Sequence, residues 1–153
     1  MTIRRNLARL AVGAAVGIVA GVLVTPAPAQ AASPVRIYRI WYDSPGSDTR
    51  SNSSLNAEYI VLKNYTASTR SITGWTVKDS YGWTYKFGTT SIPAGKTIVL
   101  RTGKGTNTST TRYWQRTNYV WNNDKDTGYL RNGSGTLMHS CAYNSTAADY
   151  KNC

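Results

Sequence analysis

From Val35 onward the apolar residues come in short runs, broken by Gly, Asn, Asp, Ser or Pro at intervals of about ten residues, and no segment holds a 3.6-residue period. That punctuation leaves no room for packed amphipathic helices, or for the alternation of strands and helices that builds a parallel sheet. Threonine is abundant and alanine sparse beyond residue 32, a bias that also favours pleated strands. Eleven tyrosines, five tryptophans and one phenylalanine, all beyond residue 31, supply enough apolar area for a packed interior, so simple disorder is excluded.

The runs place strands at Val35 to Tyr42, Glu58 to Asn64, Ile72 to Lys78, Trp83 to Phe87, Thr97 to Thr102, Tyr129 to Asn132 and Thr136 to Cys141. Asp43 to Ser54, Tyr65 to Ser71, Asp79 to Gly82, Gly103 to Thr111 and Asn122 to Asp126 read as polar connections, the Gly103 segment as a loose one. In the first strand Ile40 follows Ile37 by three residues. A flat strand cannot keep both on one face, so a bulge is expected near Tyr38-Arg39. Gly74 interrupts the third strand beside Trp75. Ile92-Pro93-Ala94-Gly95 has the residues of a tight turn. The expected interior is Ile37, Ile60, Leu62, Val77, Phe87, Ile98, Leu100, Leu130 and Leu137, with Trp75 filling the space between two sheets.

Residues 1–31 differ from the rest. Three arginines in a short basic head precede 15 uncharged residues, Leu10 to Val24; Pro26 and the small residues of Ala29-Gln30-Ala31 follow. This is the layout of a cleaved export signal, and the apolar stretch is short for a permanent span of about 20 residues. The expected mature chain is residues 32–153, with a folded core over about 35–143 and a polar tail over 144–153. It has no membrane span and is released outside the cytoplasmic membrane. In that compartment Cys141 and Cys153 are expected to pair, closing a ring worth about 3 kcal/mol and tying the tail to the last strand.

Few residues can carry chemistry. His139 is the only histidine, and no glycine-flanked serine elbow accompanies it, so it reads as an ordinary strand position. Glu58 is the only glutamate, which excludes a pair of glutamates, and its expected role is structural. Asp43 and Asp48 fall in one serine-rich loop, with no reason for a shifted pKa. Asn122, Asp124 and Asp126 alternate like calcium ligands, but Thr127 and Gly133 stand where a helix-flanked calcium loop needs glycine and glutamate. A weak calcium site there is left open; no catalytic residue, metal or cofactor is expected.

Charge is the more informative signal. Of 18 basic residues, Arg4, Arg5 and Arg9 leave with the signal, so 15 remain against 7 acidic ones, a net of +8. A domain so charged gathers on polyanions in a salt-dependent way. Arg112, Trp114 and Arg116, at period two, share one strand face, and Lys104 lies in the preceding loop. These four are the candidate polymer-binding residues.

Several segments in order resemble the lamin-tail domain family: Glu58-Tyr59-Ile60-Val61-Leu62-Lys63-Asn64, Ile72-Thr73-Gly74-Trp75-Thr76-Val77-Lys78-Asp79, Tyr85-Lys86-Phe87, Ile92-Pro93-Ala94-Gly95, Val120-Trp121-Asn122-Asn123 and Leu130-Arg131-Asn132-Gly133-Ser134-Gly135-Thr136-Leu137. The resemblance covers about residues 35–143; the Cys141–Cys153 tail is outside it, and Lys125 stands where members often carry glycine. It implies an all-β, immunoglobulin-like β-sandwich. It also implies a binding module, extracellular in bacteria and able in nuclear lamins to bind protein partners and DNA. The expected function is non-catalytic adhesion to an anionic polymer, either extracellular DNA or an anionic cell-wall polymer. The alternative is a carbohydrate-binding module using aromatic platforms.

Overall fold

The computed structural model describes residues 32–153; the export signal expected over residues 1–31 lies outside them. Eleven strands and one short helix follow in the order β1 (Val35–Trp41), α1 (Asn52–Ala57), β2 (Tyr59–Asn64), β3 (Arg70–Ser71), β4 (Thr76–Lys78), β5 (Thr84–Lys86), β6 (Ser91–Ile92), β7 (Thr97–Arg101), β8 (Thr111–Tyr113), β9 (Lys125–Arg131), β10 (Leu137–Asn144) and β11 (Tyr150–Asn152). One sheet has the order β11-β1-β2-β7-β8 and the other β10-β9-β4-β5, with β3 and β6 forming a small ribbon. All pairings are antiparallel except β7 with β8. The architecture is the expected β-sandwich.

Its two layers meet through alternating inward residues. Val35, Ile37, Ile40, Ile60, Leu62, Ile98 and Leu100 come from the larger sheet; Val77, Leu130, Cys141 and Tyr143 face them from the smaller one, and Phe87 follows β5. The β1–β2 register slips between Ile37 and Arg39, the expected bulge. The extra residue keeps both Ile37 and Ile40 inside, and it turns Tyr38 and Arg39 outward together.

Two interior assignments need correcting. The indole between the sheets is Trp121, 1 % exposed, whereas Trp75 is half-buried against the margin of the core. Gly74, at φ +78°, occupies a turn closed by the Trp75 N–H donating to the Ile72 carbonyl (3.0 Å), and this swings Trp75 away from the centre. Leu137 is exposed, because a second register shift between Leu137 and His139 carries the start of β10 clear of the core.

Helix α1 falls inside a segment expected to be loop. Ser51 caps it by accepting from the Ser54 N–H (3.3 Å), and Leu55 is its one buried residue. A six-residue helix with one apolar anchor shows no periodicity to read. Strand β9 also begins at Lys125, earlier than expected, because Gly128 interrupts its apolar pattern.

Cys141 and Cys153 form the expected disulfide. The tail it holds is not merely polar chain. Residues Tyr150–Asn152 pair with β1, so the bond joins an edge strand of one sheet to an edge strand of the other. Tyr42 and Tyr143 stack nearby at 3.9 Å between ring centres.

Two outcomes test this packing. A Cβ built on Gly128 would lie 2.9 Å from Ile40 Cδ1 and 3.3 Å from the Trp121 ring. Gly128→Val should therefore lower unfolding free energy by about 1–3 kcal/mol in urea titration. Cys153→Ser should lower it by about 3 kcal/mol, with amide exchange rising first at β11.

Candidate functional site

Only Arg112 of the expected trio lies in β8, which ends at Tyr113; Gln115, at φ +65°, interrupts the alternation before Arg116, and Trp114 packs against the core. Arg112 pairs in register with the buried Leu100, and the three side chains reach β5 of the opposite sheet or the segments on either side of it. Trp114 meets Tyr85 and Trp121 edge-on, at 5.8 and 6.3 Å. Arg116 lies over the Trp83 ring at 3.6 Å. The Arg112 guanidinium donates to Thr90 Oγ1 (3.1 and 3.2 Å) and to the carbonyls of Thr89, Thr108 and Thr111. Lys104 is apart from them, exposed on its loop. That loop is not loose: Asn52 Nδ2 and Asn56 Nδ2 donate to the Lys104 carbonyl at 3.0 and 2.9 Å, and the Lys104 N–H donates to Asn52 Oδ1 at 2.7 Å.

A larger cationic surface lies on the outward side of the five-stranded sheet. Alternation along β1, β2, β7 and β11 sends Arg36, Tyr38, Arg39, Trp41, Tyr59, Lys63, Arg101 and Tyr150 to that side. Arg36 is in register with Lys63, and Trp41 with both Tyr59 and Tyr150. Every cation lies against a ring: Arg36 over Tyr65 (4.1 Å), Arg39 over Tyr150 (4.5 Å), Lys63 over Tyr65 and Tyr38 (5.0 and 5.3 Å), and Arg101 over Tyr59 (5.3 Å). The strands of this sheet contain no aspartate or glutamate. The sequence carried a trace of this face in Arg36-x-Tyr38 and Tyr59-x-x-x-Lys63. Its extent was hidden because the cross-strand neighbours, Tyr150 above all, come from distant segments.

The acids are elsewhere. Glu58, Asp79 and Asp126 are buried. Glu58 accepts from Thr102 Oγ1 (2.5 Å), the Val120 N–H (2.9 Å) and the Trp121 N–H (3.3 Å). Burial pushes its carboxyl up to about 8, against the opposing pull of these donors. Asp79 accepts from the Gly82 and Trp83 N–H groups at 2.7 and 2.6 Å. Its carboxyl is raised, first by burial and further by neighbouring Asp126. The expectation of an ordinary Asp43 also needs correcting. Asn123 Nδ2 bridges Asp43 and Asp48 (2.9 and 3.2 Å), and burial, then Asp48 and Asp149, raise the Asp43 carboxyl.

Asp126 is turned inward, with one oxygen accepting from Ser80 and Thr127 and the other from Asn122, while Asp124 is exposed. Among the described residues no group of three or more His, Cys, Asp or Glu side chains is placed to hold a metal ion. His139 lies opposite Leu130 on β10 with a buried Nδ1 that has no hydrogen-bond partner. Burial, then Arg36, lower its pKa.

A family model described as Lamin Tail Domain matches residues 28–145. The match spans well over half of the chain, and the chain belongs to that family of immunoglobulin-like domains. No curated protein matches the sequence.

Folding raises the proton affinity of Glu58. Its contribution to stability is therefore full below about pH 4.5 and is lost as pH climbs through about 8. Glu58→Gln should remove that slope from the plot of urea midpoint against pH. It should also lower stability by about 1–3 kcal/mol in acid, because the amide N–H₂ faces the Trp121 N–H. Parallel curves for the two proteins would reject the assignment.

Proposed function

We propose that this lamin-tail domain is an exported, non-catalytic binding domain that holds an anionic polymer, extracellular DNA or an anionic wall polymer, on the outward side of its five-stranded sheet. The observation that supports this most is the cation–aromatic face itself: Arg36, Arg39, Lys63 and Arg101, each resting on a ring, with no carboxylate among the strands. Rings beneath the cations limit side-chain wandering, so less freedom is lost when an anion is bound. Burial pushes the Glu58 carboxyl up to about 8, so at neutral pH the domain is more positive than the formal count of seven acids suggests. The disulfide suits an oxidising compartment, and among the described residues no helix is long and apolar enough to cross a membrane. Lys104 and Arg116 add positive charge away from this face; Arg112 and Trp114 act chiefly to close the sandwich edge.

The carbohydrate reading draws on a different surface. Tyr81 and Trp83 are 68 % and 46 % exposed at the β4–β5 turn, with Arg116 covering one side of the indole. Sugar stacking there would persist at high salt, where charge-driven binding fails.

Retention on DNA resin decides between them. With four phosphate contacts, affinity should fall roughly 10²-fold between 50 and 200 mM salt. Arg39→Ala with Lys63→Ala should elute much earlier, whereas Lys86→Ala on the other sheet should elute only slightly earlier. Retention unchanged by salt, or lost equally in both variants, would reject the face.

A further inference from the structure

Resting on that reading, we infer that the face recognises a phosphodiester chain by its charges and not by its rings. Stacking of a base or a sugar needs an open aromatic face. Here three of the rings face one another, and the other two, Tyr38 and Tyr65, are approached by the Lys63 ammonium, with the Arg36 guanidinium also over Tyr65. Trp41 lies between Tyr59 and Tyr150 at 5.8 and 5.0 Å, with interplanar angles of 25° and 24°. Each ring is on a different strand, held side by side by the registers Trp41↔Tyr59 and Trp41↔Tyr150. Neighbouring strands are about 4.8 Å apart, which is close to a stacking distance, so rings standing on adjacent strands cover one another's faces and turn their edges to solvent.

A guanidinium lies against the tyrosine at either end of this column, Arg39 on Tyr150 and Arg101 on Tyr59. Two further bonds fix the column. Trp41 Nε1 donates to the Asp43 carbonyl (2.8 Å), and Arg39 Nε donates to Asn152 Oδ1 (2.7 Å). Arg39 is thus oriented by two residues of β11, the strand that the Cys141–Cys153 bond anchors. The aromatic residues are positioning residues: they hold cations for phosphate and offer no platform to the ligand. The ligand class is a linear phosphodiester, indifferent to base identity and to the presence of bases at all.

The test measures anisotropy of labelled oligomers with the full chain, disulfide intact. The probes are oligothymidylate, an abasic deoxyribose-phosphate oligomer of equal length, poly(glycerol phosphate) and neutral dextran. Oligothymidylate and the abasic oligomer should bind within about threefold of each other, since even one stacked base would favour the former by about tenfold or more. Both should show a log–log salt slope of about −3, from about 0.7 per phosphate contacted by four cations on a single strand. Tyr150→Leu should weaken both equally, and Tyr150→Phe should restore both. A preference between poly(glycerol phosphate) and the abasic oligomer supports the inference and distinguishes a wall polymer from nucleic acid. Oligothymidylate favoured tenfold, or a Tyr150→Leu defect confined to it, overturns the inference while leaving polyanion binding intact. Binding of dextran alone overturns the parent reading.

Discussion

The carboxylate of Glu58 accepts hydrogen bonds from Thr102, Val120 and Trp121, residues 44, 62 and 63 positions further along the chain. These bonds fix where the segment after β8 crosses from one sheet to the other, and so where the Trp121 indole enters the core. The indole is met there by Trp114, and the approach of Gly128 leaves no room for a side chain beside it. An ionised carboxylate is costly to bury here, and burial pushes the Glu58 carboxyl up to about 8, so the neutral acid is the form the interior favours. Three donors converging on it make the arrangement specific, since an apolar residue would leave the Val120 and Trp121 N–H groups unsatisfied.

The same separation of charge shapes the outside. Glu58, Asp79 and Asp126 serve as internal hydrogen-bond hubs, and Asp43 and Asp48 are drawn together by Asn123. Acids used in this way do not neutralise the strands of the larger sheet, whose cations rest instead on tyrosines. The net charge of the domain therefore understates the field above that face, and self-repulsion among its cations is offset locally by ring quadrupoles.

Two local devices complete the face. The β1 bulge adds an outward residue, so that Tyr38 and Arg39 stand together where regular pleating would show one of them. The disulfide keeps β11 at the edge, where Tyr150 and Asn152 orient Arg39. A paired tail also covers the open side of β1, a strand edge that would otherwise be free to pair with another chain.

Much of this was legible beforehand. Spacing of apolar runs defined an all-β chain, the Ile37–Ile40 interval located the bulge, and the cysteine pair followed from the expected compartment. These depend on local pattern, which short-range sterics and burial enforce. The short helix escaped because one buried leucine makes no period, and Leu137 was misplaced because a register shift cannot be read from composition. Arg112, Trp114 and Arg116 were expected on one strand face, yet alternation does not say which face looks inward, and β8 ends at Tyr113 with Gln115 at φ +65° before Arg116; the parallel pairing of β8 with β7 sets Arg112 beside the buried Leu100. The sequence alone determined the fold class and the excess of positive charge. Which cations share a surface and which indole fills the core depend on strands brought together from opposite ends of the chain, so folding in three dimensions had to set them.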